Sequence, residues 1–334
     1  METSPQVTKK RHHYVPITYL NGFTHNGRIV AYRKDDPKRP LHVSPSEIAF
    51  QRYYYSQPLP GGGRDDNTLE DFFSKIETSW PTLAKRLRAG SGTSVDFEEL
   101  CTFLTLMRVR VPATRDFVEL ALAEGVKAET KFLDQRGKLP PKPQGYEDIL
   151  DHMVVSIDPH MSIHAIPSLA QGFGKVLDCL GLQVLHNSTD ISFVTSDNPV
   201  VYFNPMLPET RILPYQVVPP YGPIELLFPI DSETMLRGVT GGSGLSHSKL
   251  GDRQIVKRMN RFIARFGYRF VFSRDRSHTA LIIKHANVSP VLKTTLLNSK
   301  VRDTFTSFEW VFGQRAVKAK WKAIHEDHPR DRSI

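Results

Sequence analysis

Cysteines are scarce in this sequence, and their scarcity narrows the class of protein. The only two, Cys101 and Cys179, fall in apolar, helix-like segments, where a buried thiol behaves as a small apolar side chain. No second Cys or His lies at zinc-ligand spacing from either one. The sequence thus argues against a disulfide framework and a structural zinc site, and reduced thiols indicate the cytoplasm.

Long apolar runs are also missing, so we expect no membrane span. The opening METSPQVTKKRHH is polar and lacks the apolar core of a secretion signal. The glycine-rich residues 61–64 lack the Gly-Lys-Ser/Thr ending of a phosphate-binding loop, and no internal repeat is present. What remains is 334 residues with 40% hydrophobic content, which suffices for a substantial core.

Positive charge is what the chain has in excess. Lys and Arg number 44 against 35 Asp and Glu, which gives a formal net charge of +9. This balance favours an anionic partner such as nucleic acid or a nucleotide, because long-range attraction raises its local concentration. The alternative is that these side chains only cover an ordinary surface.

Residues 11–16, with the sequence RHHYVP, join two imidazoles and a phenol to a proline that fixes the backbone after them. Neighbouring side chains project in different directions, so either His12 or His13 can face a ligand while the other packs. In the alternative interpretation, the pair ends an N-terminal arm that Tyr14, Tyr19 and Phe23 attach to the core.

Glu77, Arg110 and Arg115 are the charged residues that the helical region places near apolar surface. Glu77 lies beside the apolar stripe of a helix that starts near Thr68, where it is either a solvated rim carboxylate or a buried charge that needs a cationic partner. Arg110 and Arg115 flank Pro112, and their planar guanidinium groups suit clamping of phosphate or carboxylate. An internal ion pair with Glu77 or Asp197 is the alternative.

Asp197 and Asn198 lie between two apolar segments that read as strands. Asp and Asn before a proline form turns unaided, because their side chains bond the local backbone. Polar side chains at strand ends are also where binding sites tend to be built. Asp197 could then orient an imidazole of the opening motif, hold a metal or act as a base.

Apolar spacing predicts the following elements. Strands are expected at 27–33, 53–55, 182–185, 191–195, 200–203, 224–230 and 268–272. Helices are expected from 68, from 94, at 146–155, at 160–180 and at 252–266. Residues 238–251 are expected to be flexible and polar.

Several strings together resemble one bacterial family, domain of unknown function 4238. They are HHYVPITYLNGF from His12, RVRVP from Arg108, FVTSDNPV from Phe193 and the later IELLFPI and NRFI. The resemblance covers roughly residues 10–275. Members typically open with an HHYVPQFYL-like string, from which this chain departs at Ile17 and Thr18. The resemblance supports the motif positions and leaves the chemistry open.

We expect one α+β domain over residues 1–312. A helical part, at about 68–181, would pack on a mixed or antiparallel sheet from about 182–285, with the N-terminal arm between them. Residues 313–334 would form a basic tail.

The leading functional expectation is a cytoplasmic hydrolase that cleaves phosphodiester bonds of nucleic acid or a nucleotide. The opening motif also superficially resembles the His-His-x-Val-Pro start of some His-Asn-His nucleases. The catalytic candidates are His12, His13 and Asp197. The binding candidates are Arg110, Arg115, Asn198, Tyr14 and Glu77. The sequence leaves the cofactor open, with a divalent metal as the candidate. The alternative is a non-catalytic sensor or effector that binds nucleic acid or a nucleotide.

Overall fold

A computed structural model describes residues 10–298 and 304–315. Its α-helices are α1 Ile17–Leu20, α2 Thr68–Arg88, α3 Ser94–Val109, α4 Pro112–Gln135, α5 Met161–His164, α6 Ile166–Leu177, α7 Arg253–Phe266 and α8 Thr279–His285. Its strands are β1 Arg11–His13, β2 Ile29–Arg33, β3 Leu41–Val43, β4 Phe50–Arg52, β5 Gln57–Pro58, β6 Arg64–Asp65, β7 Leu180–Asn187, β8 Thr195–Ser196, β9 Val201–Phe203, β10 Glu225–Pro229, β11 Thr234–Thr240, β12 Leu245–Leu250, β13 Phe270–Ser273, β14 Ser289–Asn298 and β15 Thr304–Gly313.

Two larger sheets carry the fold. One has the order β12-β7-β11-β10-β9 and is antiparallel except where β12 runs parallel to β7. The other has the order β3-β2-β13-β8 and is antiparallel throughout. The pairs β1-β4, β5-β6 and β14-β15 are separate ribbons. The predicted α+β class is confirmed, and the second sheet also draws β2 and β3 from the N-terminal arm.

Local chemistry explains where these elements begin. Thr93 and Asp96 form a reciprocal capping box at the start of α3, which satisfies backbone N–H groups that the first turn leaves unpaired. Asp252 caps α7 by accepting from the N–H of Gln254 at 2.7 Å. Pro112 occupies the first turn of α4, where its missing N–H costs nothing. It therefore separates two helices instead of bending one.

Three of the predicted elements are wrong. Residues 53–55 form a turn instead of a strand, because the backbone reverses at Tyr53 with φ of +56°. Residues 146–155 form turns, since apolar side chains such as Val154, 76% exposed, have no surface to pack on. Residues 238–251 contribute β11 and β12. Their polarity fits the position of β12, an edge strand with solvated side chains.

The expected strand at 191–195 is shorter in the structure, and Asn260 explains how its first part is held. The Asn260 side chain is buried on α7. Its Oδ1 accepts from the Val194 N–H at 3.0 Å and its Nδ2 donates to the Ser192 carbonyl at 2.9 Å. One amide therefore supplies both backbone hydrogen bonds that a neighbouring strand would otherwise provide.

An aromatic cluster holds the arm against both halves of the fold. Tyr19 of α1 packs against Trp80 of α2, Phe103 of α3 and Phe228 of β10, at centroid distances of 5.9, 6.4 and 5.2 Å. Trp80 and Phe103 stack at 4.1 Å. All four side chains are at most 2% exposed. The arm therefore lies between helices and sheet as expected, and its burial contributes to the core.

Within the described residues, no helix combines the length and apolarity needed to cross a bilayer. Cys101 and Cys179 are free thiols. Of the predicted tail, residues 316–334 lie outside the described part of the chain.

Tyr19→Phe should lower the free energy of unfolding by about 1–3 kcal/mol, because it leaves two buried partners unpaired. The Tyr19 hydroxyl lies 2.7 Å from Thr195 Oγ1 and donates to the Pro229 carbonyl at 2.8 Å. Urea unfolding followed by far-ultraviolet circular dichroism measures the change. Tyr146→Phe removes the same atom from an exposed side chain and should cost nothing measurable. Equal effects in the two variants would contradict this role for Tyr19.

Candidate functional site

The two histidines lie on opposite faces of β1. In the β1-β4 ribbon, Arg11 is the partner of Arg52, His12 of Gln51 and His13 of Phe50. Side chains alternate between the two faces of a strand. His12 and Gln51 therefore face one way, and Arg11, His13, Phe50 and Arg52 face the other. We call the latter group the ribbon face.

His12 faces the interior and is fully buried. Its Nδ1 accepts from the Tyr55 N–H at 2.9 Å, and its ring stacks on Tyr55 with a centroid distance of 5.8 Å. A ring nitrogen that accepts carries no proton, so the hydrogen resides on Nε2. This contact pins the turn after β4 to the arm.

His13 is half-buried and differs from His12 in how its ring is satisfied. Its Nε2 is buried without a hydrogen-bond partner. Burial lowers the pKa of His13 below its ordinary 6.5, a backbone hydrogen bond with Ser46 raises it, and the Arg110 charge lowers it further. His13 therefore holds a neutral imidazole with an unused lone pair at neutral pH.

Arg110 binds three separate segments from a fully buried position. It pairs with Glu77 of α2 and donates to the His13 carbonyl. Its Nε also donates to the Tyr55 hydroxyl at 3.2 Å, and that hydroxyl donates to the Arg110 carbonyl at 3.0 Å. Of the two alternatives left by the sequence, these contacts match the internal ion pair with Glu77, whose side chain is 20% exposed.

Arg115 also points inward, with 3% exposure. It donates to Ser162 Oγ at 2.9 Å, to the Pro159 carbonyl at 2.6 Å and to the Tyr54 carbonyl, and it lies over the Tyr54 ring at 4.1 Å. Its guanidinium therefore donates to backbone carbonyls of this chain.

Arg108, which the sequence analysis did not select, belongs to the same group. It is 7% exposed and lies 3.9 Å from the Tyr215 ring centroid. It also donates to Thr114 Oγ1. The RVRVP string therefore places both of its arginines inside the protein, Arg108 in the last turn of α3 and Arg110 as its C-cap. The available signal was the apolar spacing around Arg108, which puts it on the inner face of α3.

Asp197 and Asn198 fasten the turn between α7 and β13. The Asp197 carboxylate is fully buried and accepts from the N–H groups of Tyr268 and Arg269, both at 2.8 Å. Burial raises the pKa of Asp197, and these backbone donors lower it again, with a raised pKa as the net result. Asn198 Nδ2 donates to the Tyr215 hydroxyl at 2.6 Å and to the Phe266 carbonyl at 2.8 Å. Its Oδ1 is buried without a partner.

Tyr14 is the residue of the opening motif that the fold brings towards this turn. It is 2% exposed, and its ring meets that of Tyr54 edge-on at 5.9 Å. Burial raises the pKa of Tyr14, and the negative charge of Asp197 raises it further. The arm therefore approaches the acidic turn through its phenol, while the hydrogen bonds described above for His12 and Asp197 go to other partners.

Arg269 is a further candidate that the sequence analysis missed. Its side chain is 26% exposed, and it lies 3.5 Å from Asp116 and 3.4 Å from Gln51 Oε1. Its Nε is buried without a partner, as is the Tyr54 hydroxyl. Its position just before β13, in a stretch predicted to be strand, gave no sign of this placement.

A cavity of about 220 Å³ lies at the other end of the arm. It is lined by Thr18, Asn21, Gly22, Trp80, Pro81, Ala84, Arg88 and Ile230. None of the site residues predicted from the sequence lines it. Among residues 10–298 and 304–315, no group of three or more His, Cys, Asp or Glu side chains is placed to hold a metal ion.

Residues 11–277 match the family described as "Protein of unknown function (DUF4238)". The chain belongs to this family. The match spans the ribbon, the arginines at the α3-α4 junction and the Asp197 turn, so the resemblance expected from the strings is confirmed. Comparisons with curated proteins and with solved structures found no match.

In this DUF4238 chain, Glu77→Gln should lower the free energy of unfolding by about 3 kcal/mol, because it leaves the buried Arg110 charge without its counter-ion. Chemical denaturation measures the loss. Adding Arg110→Met to Glu77→Gln should recover part of it, since the uncompensated charge is then gone. If Glu77→Gln costs no more than about 0.5 kcal/mol, an ordinary surface value, the internal pair does not stabilise the fold.

Stability should also fall with acid through His13. A histidine whose folded pKa is lowered contributes stability above its unfolded pKa, and that contribution is lost as the pH falls through the folded value. The free energy of unfolding should therefore drop as the pH falls from above the unfolded value of about 6.5 through the lowered folded pKa of His13. The drop should be smaller in His13→Asn. The pKa values of His247, His278 and His285 are lowered as well, and their share cancels in the difference. Identical pH profiles would contradict the prediction.

Proposed function

We propose that this chain binds nucleic acid without cleaving it, and that the ribbon face is part of the contact surface. The observation that carries the proposal is the cross-strand pair of Arg11 and Arg52. Both side chains are exposed, and they are direct partners in the antiparallel ribbon. Neither has an ion pair with a carboxylate in the described part of the chain. Like charges placed directly opposite each other destabilise a sheet.

Such a pair fits a surface that meets phosphate, which neutralises both charges at once. Arg11 lies 4.9 Å from the Phe50 ring centroid, and His13 packs on the same ring at 5.4 Å. A basic strand edge with an accessible aromatic ring is a common means of holding single-stranded nucleic acid. The net charge of +9 supports long-range attraction of a polyanion.

The inward orientation of the motif arginines supports binding over cleavage. Arg110 and Arg115 are buried and bonded to groups of this chain. The Asp197 carboxylate holds backbone N–H groups. In this proposal these residues are structural. Free thiols at Cys101 and Cys179 agree with action in a reducing cytoplasm.

One observation favours the second candidate, hydrolysis of phosphodiester bonds. The neutral His13 imidazole has a ring nitrogen without a protein partner, and such a nitrogen can act as a general base or metal ligand. In this candidate, Asp197 would be the partner, Arg110 and Arg115 would bind phosphate, and a divalent metal would be a cofactor. Tyr14, Glu77 and Asn198 would complete the binding groups.

Incubation with plasmid DNA, RNA and nucleotides, with and without Mg²⁺, Mn²⁺ or Zn²⁺, separates the two candidates. Binding without turnover supports the first. Turnover that disappears in a folded His13→Ala variant supports the second.

The binding proposal predicts a specific cost for Arg11→Gln/Arg52→Gln. Affinity for a fluorescent single-stranded oligonucleotide should fall roughly tenfold or more, and the slope of log K against log salt should become shallower by about 1.4, as expected for two lost phosphate contacts. The variant should be at least as stable as the parent, because the like-charge contact is relieved.

Lys75→Gln/Lys85→Gln is the matched control, since it removes two exposed charges from α2. It should change affinity only slightly. Equal losses in both double variants would show that net charge alone matters, and no binding by the parent protein would refute the proposal.

A further inference from the structure

The inner side of the ribbon has an unusual combination of polar groups. The Tyr54 hydroxyl and Arg269 Nε are both buried and both lack a hydrogen-bond partner. Tyr54 is 8% exposed. Leaving a buried donor unpaired costs about 1–3 kcal/mol, and more for a charged group. Two such groups in one neighbourhood indicate a common partner from outside the chain.

The two groups share their surroundings. Arg269 contacts Gln51, three residues before Tyr54, and the Tyr54 ring meets that of Tyr14. The Arg115 guanidinium lies over the Tyr54 ring at 4.1 Å, and the next residue, Asp116, lies 3.5 Å from Arg269. These shared neighbours place Tyr54 and Arg269 in one region of the fold.

The remaining contacts of Arg269 are loose. Its Nη1 reaches Gln51 Oε1 at 3.4 Å, and its Nη2 reaches Asp116 at 3.5 Å. Good N–H···O bonds measure about 2.7–3.2 Å. Asp116 is itself engaged by the Tyr268 hydroxyl, which donates to it at 2.9 Å. The guanidinium therefore has donors to spare.

The donor groups of Arg269 and Tyr54 determine the chemical class of the ligand. A guanidinium only donates, and a tyrosine hydroxyl can donate, so a shared partner must accept at least two hydrogen bonds. An oxyanion offers several acceptor oxygens, and a guanidinium can bind two of them with parallel bonds. Since the Arg269 side chain is 26% exposed, part of it is open to an anion from solvent.

We propose that Arg269 and Tyr54 form a binding site for a small oxyanion, such as inorganic phosphate or a phosphate monoester, on the inner side of the β1-β4 ribbon. Tyr14 contributes a wall of this site. The site is separate from the ribbon face and does not depend on nucleic-acid binding there.

Thermal unfolding in increasing inorganic phosphate, at ionic strength held constant with chloride, tests the proposal. The midpoint should rise and follow a saturating curve, because a ligand that binds only the folded state stabilises it. Tyr54→Phe should weaken the apparent phosphate affinity roughly tenfold or more, since one charge-assisted hydrogen bond is lost. In chloride alone, Tyr54→Phe should be as stable as the parent, because its hydroxyl has no hydrogen-bond partner among the described residues.

Tyr146→Phe is the matched control, with the same atom removed from a side chain that is 61% exposed. It should leave the phosphate response unchanged. Arg11→Gln/Arg52→Gln should also retain that response, which separates this site from the ribbon face. A midpoint that does not respond to phosphate beyond chloride, as expected if water alone satisfies these donors, would overturn the proposal. An unchanged phosphate affinity in Tyr54→Phe would do the same.

Discussion

The buried guanidinium of Arg110 is the interaction on which the arrangement of the arm depends. Moving a charge into the interior costs several kcal/mol unless the charge is paired and hydrogen-bonded. Arg110 meets this demand with Glu77, the His13 carbonyl and the Tyr55 hydroxyl. These acceptors come from α2, from β1 and from the turn after β4. One charge therefore fixes three segments that are far apart in sequence. Loss of Glu77 would leave the charge uncompensated, and loss of either other acceptor would leave a buried donor unpaired.

Polar residues in and beside the strings named above have a common structural use in this chain. His12 accepts a backbone N–H, Arg115 donates to backbone carbonyls, and Asp197 accepts two backbone N–H groups. Each such side chain takes the place of a hydrogen bond that regular secondary structure does not supply at that point. Polar residues in such strings need not mark catalysis. The outward side chains of the same segments, such as Arg11 and Arg52, are the ones free to meet a partner.

The sequence predicted what depends on near neighbours. Periodicity located α7, the apolar strand β10 and the strand β2. Prediction from the sequence failed where contacts between residues distant in the chain decide the structure. The edge position of β12 and the support of residues 192–194 by Asn260 are set by other parts of the chain. For the site, pairing of Glu77 with Arg110 was one of two open alternatives, because charge type does not reveal the partner. The backbone partners of Asp197 could not be predicted, since any residue except proline can supply an N–H group.

Buried polar atoms without a hydrogen-bond partner indicate a binding site more specifically than residue type does. Most polar atoms of the motif residues are satisfied within the chain, so a ligand there would first have to break existing hydrogen bonds. At Tyr54 and Arg269, burial removes water from two polar atoms, and no hydrogen bond within the described residues offsets that cost. A ligand that accepts from both groups would recover that cost. The same reasoning separates the two proposals for the ribbon. Outward charges such as Arg11 are exposed, so a polyanion bound there would be held in a salt-dependent manner. The inner donors are buried and less screened by salt, so they would suit one small anion.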